Sequence, residues 1–225
     1  MSETANKILV VDIDGTILIH DARYEASYFA ATGKKPAVRM RVEHPADMAL
    51  PLFETRELDL SGDQIRKYFD VFDSPEYLHL DEPIPDAKRV LSEQREKGVE
   101  IIYLTGRHDE GEKSMRDGTM EWLESHEFPV PDGKGVKLVM KPSKGISRAD
   151  YKEHVLKNMR RRKANIIAGV GDLLEDALLY ARFSIQPIII NTLCQSSKLF
   201  PLETMVVSGW DDIEKWLERY HKSSL

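Results

Sequence analysis

The sequence predicts an α/β protein with a parallel β-sheet covered by helices. Three apolar runs are continuous rather than alternating, which is typical of strands buried on both faces of a parallel sheet. These runs span residues 7–12, 99–105 and 165–170, and two weaker candidates span residues 136–140 and 187–191. Helical segments separate the runs, and such alternation is typical of βαβ units.

The predicted helices carry recognisable beginnings and ends. One predicted helix starts at Pro85 and stops before Gly98, since proline is common at the first position of a helix and glycine just past its end. Another begins with Ser147 and has Asp150 three residues later, a variant of the capping box. In the regular part of the chain, the predicted helices span residues 85–97, 117–125, 147–163, 173–183 and 211–220.

One long stretch interrupts this alternation between about residues 20 and 82. It contains four prolines and only two helical patches, near residues 24–31 and 64–72. We therefore predict a core made of residues 1–19 and 83–225 with a small cap insertion at residues 20–82. The cap candidates for substrate contact are His20, Arg23, Arg39, Arg41 and His44.

Composition narrows the class of protein. The 225 residues include 32 Lys and Arg against 38 Asp and Glu, a formal net charge of -6. This balance argues against a general nucleic-acid binder, although a local basic patch is compatible with it. No apolar run approaches the roughly 20 residues that a membrane helix needs. We expect a cytoplasmic protein with no membrane partner, and the oligomeric state stays open.

The lone cysteine and the N-terminus support the same expectation. One cysteine, Cys194, excludes an internal disulfide and any metal site built from several cysteines. The first residues lead directly into the first apolar run without a signal-peptide cleavage pattern.

Polar groups follow three of the predicted strands. The first strand ends in the run DIDGT at 12–16, the second in LTGR at 104–107, and the third leads into GDLLED at 171–176. Ligands of open parallel sheets bind beyond the carboxyl ends of the strands. Asp12 and Asp14 are expected to project to the same side of an extended chain. Clustered with Asp172, they would repel one another without a cation, and hard carboxylate oxygens favour Mg²⁺ over zinc.

These three motifs, in this order, resemble motifs I, II and IV of the haloacid dehalogenase (HAD) superfamily of phosphohydrolases. The resemblance covers roughly residues 5–19 and 83–205. It implies a three-layer, Rossmann-like core with a parallel sheet, and the insertion occupies the place of a small helical C1-type cap.

The resemblance also implies catalytic roles. Asp12 would be the nucleophile that attacks phosphorus and forms an aspartyl-phosphate. Asp14 would protonate the leaving oxygen and then activate water. Thr105 and the Gly106 amide would bind phosphoryl oxygens.

The implied cofactor is Mg²⁺. Asp12, the main-chain carbonyl of Asp14 and the carboxylate of Asp172 would hold the ion, with Asp176 supporting its water ligands or orienting a lysine. The family needs one lysine to offset the charge on the nucleophile. We favour Lys152 for that role, with Lys144 and Lys141 as alternatives.

Two further motif residues are candidates for substrate binding. Arg107 would contact the substrate phosphate or pair with a nearby acid. Thr16 would contact substrate or cap the turn after the first strand.

The second aspartate of DIDGT bears on the type of reaction. Dehalogenases and transport ATPases of the superfamily do not keep Asp at the position of Asp14, which therefore points to a phosphatase or phosphomutase. We predict a Mg²⁺-dependent phosphatase acting on a small phosphorylated metabolite. The alternatives are a phosphatase for polynucleotide ends and a non-catalytic binding protein that retains the fold.

Overall fold

A six-stranded parallel sheet forms the centre of the computed structural model, which describes residues 6–36, 60–110, 114–190 and 199–223. The sheet consists of β1 (Lys7–Val11), β4 (Glu100–His108), β5 (Val136–Lys141), β6 (Asn165–Gly171), β7 (Pro187–Ile190) and β8 (Met205–Val207). The two short strands β2 (Leu18–Ile19) and β3 (Glu82–Pro83) form a separate ribbon. The order across the sheet is β5-β4-β1-β6-β7-β8, and each neighbouring pair runs parallel. The predicted fold class is confirmed, and β8 is an edge strand that the sequence analysis did not predict.

Helices connect the strands. They are α1 (Asp21–Thr32), α2 (Gly62–Phe72), a 3-10 helix (Pro75–Leu80), α3 (Ala87–Glu96), α4 (Met115–Ser125), α5 (Arg148–Arg161), α6 (Leu174–Arg182) and α7 (Trp210–Ser223). Ser147 caps α5 as expected, because its side chain accepts a hydrogen bond from the Asp150 amide at 3.0 Å. The helix predicted from Pro85 begins two residues later, since Asp86 has a positive φ of 63°. Every helix within the described ranges is too short or too polar to cross a membrane.

The helices cover both faces of the sheet. Successive residues of a strand point to opposite faces, and in β1 Leu9 and Val10 belong to different apolar clusters. The Leu9 cluster includes side chains of α3, α4 and α7, whereas the Val10 cluster includes side chains of α5 and α6. The core is therefore a sheet between two helical layers.

A short two-stranded ribbon lies at the two ends of the segment predicted as an insertion. β2 and β3 pair antiparallel, with Leu18 opposite Pro83. Beyond the ribbon, α1 and α2 pack on each other through Tyr24 and Tyr68. The division of the chain into a core and a cap at residues 20–82 stays a prediction. The candidate residues Arg39, Arg41, His44 and Cys194 lie outside the described residues.

Candidate active site

Three buried carboxylates meet at the carboxyl ends of the central strands. Asp12 directly follows β1, Asp172 directly follows β6, and Asp176 lies in the first turn of α6. Each offers an oxygen within 4.8 Å of the other two. Their exposed fractions are only 4%, 5% and 2%. Adjacent parallel strands thus bring together acids that are far apart in the sequence.

Lys152 joins two of these carboxylates. Its Nζ donates hydrogen bonds to Asp12 Oδ2 and Asp176 Oδ1, both at 2.7 Å. Burial alone would lower the pKa of Lys152, but the charges of Asp12 and Asp176 outweigh burial and raise that pKa. Of the other two candidate lysines, Lys141 donates to the Ile146 carbonyl at 3.0 Å and Lys144 is exposed. Lys152 is therefore the candidate lysine that contacts Asp12, and it does so as a cation.

The cluster carries more negative than positive charge. Burial raises the pKa of Asp172 well above its usual value, and the neighbouring charges of Asp12 and Asp176 raise it further. Buried Oδ2 of Asp176 has no hydrogen-bond partner among the described residues. Three carboxylates around one lysine fit a hard divalent cation, which takes oxygen ligands and offsets their repulsion. Asp12, Asp172 and Asp176 could hold Mg²⁺ here.

Asp14 faces different partners. Its carboxylate accepts two hydrogen bonds from Arg107, with Nε to Oδ2 at 2.9 Å and Nη2 to Oδ1 at 2.8 Å. A third comes from Arg23 of α1, whose Nη2 lies 2.5 Å from Oδ1. Burial raises the pKa of Asp14, but the two guanidinium charges outweigh burial and hold the pKa well below its usual value. The carboxylates of Asp12 and Asp14 thus bind different cations.

A second acid, Asp81, is buried and completes this network. It accepts hydrogen bonds from Arg23 Nε at 2.9 Å and from Arg107 Nη2 at 3.3 Å. The Arg23 guanidinium also lies 4.4 Å from the centre of the Phe72 ring. Sequence reasoning placed Arg23 among the substrate contacts and missed Asp81. Here the Arg23 side chain is 1% exposed and fixes Asp14 instead.

Arg107 is likewise occupied by protein groups. Besides Asp14 and Asp81, its guanidinium donates to Thr119 Oγ1 at 2.9 Å. The geometry supports the alternative in which Arg107 pairs with acids, and it gives no support to a contact with the substrate phosphate. Thr16 is fully buried, and its carbonyl accepts a hydrogen bond from Trp210 Nε1 at 2.9 Å. This position favours a role in the turn after β1.

Thr105 was predicted as the last residue of its strand and Gly106 as the next residue, but both lie inside β4. The strand continues to His108, although its register with β5 shifts between Leu104 and His108. Thr105 Oγ1 accepts a hydrogen bond from the Arg107 amide at 3.1 Å. The predicted strand stopped early because the residues that complete β4, Gly106, Arg107 and His108, are not apolar.

Gly15 lies in close contact with the carboxylate cluster. Its φ is 73°, and a Cβ at this position would lie 2.6 Å from Cγ of Asp172. We expect Gly15→Ala to displace Asp172 and to lower the affinity for the predicted Mg²⁺, and with it the predicted phosphatase activity, about 10- to 100-fold. Activity titrated with Mg²⁺ measures the effect.

Gly33 provides the matched control. It has a nearly identical φ of 72°, but a Cβ there would meet nothing within 4 Å. Gly33→Ala should therefore show a similar conformational strain of about 1 kcal/mol and keep full activity. Equal activity losses in both variants would contradict a specific role for the space beside Asp172.

A comparison with protein families identifies the chain. A family model described as HAD superfamily, subfamily IIIB (Acid phosphatase), matches residues 70–190, more than half of the chain. The chain belongs to this HAD subfamily. The matched region contains Thr105, Lys152, Asp172 and Asp176, whereas Asp12 and Asp14 precede it. As a HAD phosphatase, the protein is a hydrolase of phosphomonoesters.

Solved structures share the HAD fold at low sequence identity. A haloacid dehalogenase-like hydrolase from Streptococcus pneumoniae has a TM-score of 0.62 and 14% identity, covering 95% of this chain and 100% of that one. A HAD hydrolase of subfamily IA from Geobacter sulfurreducens has a TM-score of 0.60 and 16% identity, covering 96% and 99%. D,D-heptose bisphosphate phosphatase from B. bronchiseptica, complexed with magnesium and phosphate, has a TM-score of 0.50 and 14% identity, covering 95% of this chain and 99% of that one. A comparison with curated protein sequences found no match.

Proposed function

We propose that this HAD phosphatase is Mg²⁺-dependent and hydrolyses a small phosphorylated metabolite through an aspartyl-phosphate on Asp12. The observation that carries the proposal is the position of Asp12. Its Oδ2 accepts from Lys152, its Oδ1 accepts from the Ile13 amide at 2.8 Å, and two more carboxylates lie beside it. This fixes the carboxylate at the sheet edge where ligands of such folds bind.

The reaction would proceed in two balanced steps. An oxygen of Asp12 attacks phosphorus, the bond from phosphorus to the ester oxygen breaks, and Asp14 gives a proton to the departing oxygen. Water then attacks phosphorus, Asp14 takes the proton from water, and the bond to Asp12 breaks to release inorganic phosphate. Thr105 and the Gly106 amide would bind phosphoryl oxygens as charge develops on them.

The surroundings of Asp14 favour its role as the proton acceptor of the second step over its role as the proton donor of the first. Arg23 and Arg107 hold the pKa of Asp14 well below its usual value, although burial opposes them. The ionised carboxylate is the form that accepts a proton from water in the second step. The first step requires protonated Asp14, which the two arginines oppose.

Magnesium would supply charge neutralisation for the incoming phosphoryl group. The carboxylates of Asp12 and Asp172 and the main-chain carbonyl of Asp14 would hold the ion, with Asp176 beside it. Two observations support this assignment: the excess of buried carboxylates over cations, and the magnesium and phosphate bound by the heptose bisphosphate phosphatase of the same fold.

The proposed substrate class rests on the insertion, and the proposed cellular location rests on the cysteine content. The insertion at residues 20–82, proposed as a small cap, is compatible with a small phosphorylated metabolite and also with an exposed phosphate on a protein or a nucleic-acid end. The single cysteine supports a cytoplasmic location, because reducing compartments disfavour disulfides.

Phosphate release from a panel of phosphomonoesters tests the proposal. The panel should contain sugar phosphates, nucleotides and a 3′-phosphorylated oligonucleotide, each with Mg²⁺, with EDTA, and with Mg²⁺ restored after EDTA. We expect release from a small metabolite that EDTA abolishes and Mg²⁺ restores. Release unaffected by EDTA would contradict the cofactor, and preference for the oligonucleotide would contradict the substrate class. No release from any substrate would favour a binding protein.

A further inference from the structure

Arg148 lies beside the carboxylate cluster but has no part in the steps proposed above. It is the first residue of α5, one helical turn before Lys152. Residues four apart occupy the same face of a helix. Arg148 therefore shares the face from which Lys152 reaches Asp12, but its side chain is 42% exposed whereas that of Lys152 is 2% exposed.

The side chain of Arg148 crosses the strand where phosphoryl oxygens are proposed to bind. A Cβ on Gly106 would lie 2.6 Å from Cδ and 2.7 Å from Cγ of Arg148. Any other residue at position 106 would thus displace the aliphatic part of Arg148. The close approach brings Arg148 directly over the residue that follows Thr105.

The charge of Arg148 acts on the cluster. Desolvation lowers the pKa of Arg148, but Glu175, Asp176 and Asp12 outweigh desolvation and raise the pKa. In return, Arg148 lowers the pKa of Asp172, against the larger effect of burial. The guanidinium is therefore within electrostatic reach of all three buried carboxylates.

The hydrogen bond from Arg148 to its partner can be exchanged. Nη2 donates to Oε2 of Glu175 at 2.6 Å, and the Glu175 side chain is 54% exposed. A partly exposed ion pair of this kind contributes little to stability, so Arg148 can leave Glu175 at low cost. Phosphate oxygens match the guanidinium fork and form stronger, charge-assisted hydrogen bonds.

We propose that Arg148 is a substrate-binding residue that leaves Glu175 to donate to a non-bridging oxygen of the bound phosphoryl group. The proposal rests on the proposed function, because Asp12, Thr105 and Gly106 define where that group lies. Lys152 already donates hydrogen bonds to Asp12 and Asp176. Arg148 supplies a positive charge that is available to the substrate.

Calorimetric binding of inorganic phosphate in the presence of Mg²⁺ tests this role without requiring turnover. We expect Arg148→Ala to weaken phosphate binding about tenfold, as loss of a charge-assisted hydrogen bond implies. Arg148→Lys should recover part of the affinity, since it keeps the charge but loses the fork. Glu175→Gln should tighten binding about two- to threefold by removing the competing carboxylate.

Arg182 provides the control, because it makes the same kind of bridge between α6 and α5. Its Nη1 lies 2.8 Å from Oε2 of Glu153, and its side chain is 63% exposed. Arg182→Ala should bind phosphate like the wild type. Wild-type affinity in Arg148→Ala, or equal losses in both alanine variants, would overturn the proposal, as would absence of phosphate binding to the wild type. Failure of the proposed function would show separately, as missing Mg²⁺-dependent hydrolysis.

Discussion

Replacing Asp12 by asparagine is expected to lower phosphate release about 10⁶-fold, the scale of loss on removing a catalytic nucleophile. The amide has nearly the same size, but its single acceptor oxygen can serve Lys152 or the Ile13 amide and not both. The packing around β1 should therefore persist with some loss of stability. The wild type, quenched with acid during turnover, should carry covalent phosphate that mass spectrometry locates on Asp12. The asparagine variant should carry none.

A matched control for Asp12→Asn lies at the opposite edge of the sheet. Asp132 precedes β5, and its Oδ1 accepts from the amides of Lys134 and Gly135, both at 2.9 Å. An asparagine there can accept these two bonds but not the one from Arg95 Nη2 to Oδ2. That ion pair lies at the surface and contributes little to stability, so Asp132→Asn should retain full activity. Covalent phosphate persisting in Asp12→Asn, or activity close to that of the wild type, would contradict the nucleophilic role.

The parallel core could be predicted because its signal is local. Continuous apolar runs mark β1, β4 and β6, and the helices between them carry caps that the sequence displays, such as Ser147 before α5. β8 escaped prediction because it has three residues, of which only Val207 is buried. The structure of the segment at residues 20–82 was harder still to predict from the sequence. Its helix α2 has a complete capping box between Ser61 and Gln64, but the element that follows it is a 3-10 helix rather than a strand of the parallel sheet.

The candidate site likewise contains residues that could be placed from the sequence and residues that could not. Motifs at strand ends could place Asp12, Asp172 and Asp176 together, because parallel strands end at one edge of the sheet. The network around Asp14 could not be predicted, since Arg23 and Asp81 are 58 residues apart and neither belongs to a periodic pattern. Pairings of this kind depend on how α1 and the 3-10 helix lie relative to the ends of β1 and β4. That arrangement is a tertiary property without a local signal.

Replacing Lys152 by methionine is expected to affect both activity and stability. The side chain keeps its length but loses its charge, so Asp12 and Asp176 each lose a hydrogen bond of 2.7 Å. Removing one partner from a buried ionic network costs about 3 kcal/mol or more of stability. Activity should fall about 1,000-fold, because the charge that offsets Asp12 and the phosphoryl group is gone. Urea unfolding and phosphate release measure the two effects.

Lys157 on the same helix serves as the control. Its Nζ pairs with Oε1 of Glu153 at 2.6 Å, but its side chain is 55% exposed. Lys157→Met should change stability by less than about 0.5 kcal/mol and leave activity unchanged.

Magnesium separates the structural role of Lys152 from its chemical role. Without the lysine, the three carboxylates repel one another more strongly, so Mg²⁺ should raise the melting temperature of Lys152→Met more than that of the wild type. Activity should nevertheless stay low at saturating Mg²⁺, because a restored fold does not restore the ammonium group beside Asp12. Full recovery of activity by Mg²⁺ would mean that Lys152 only holds the cluster together. Stability unchanged in the variant would contradict the buried network itself.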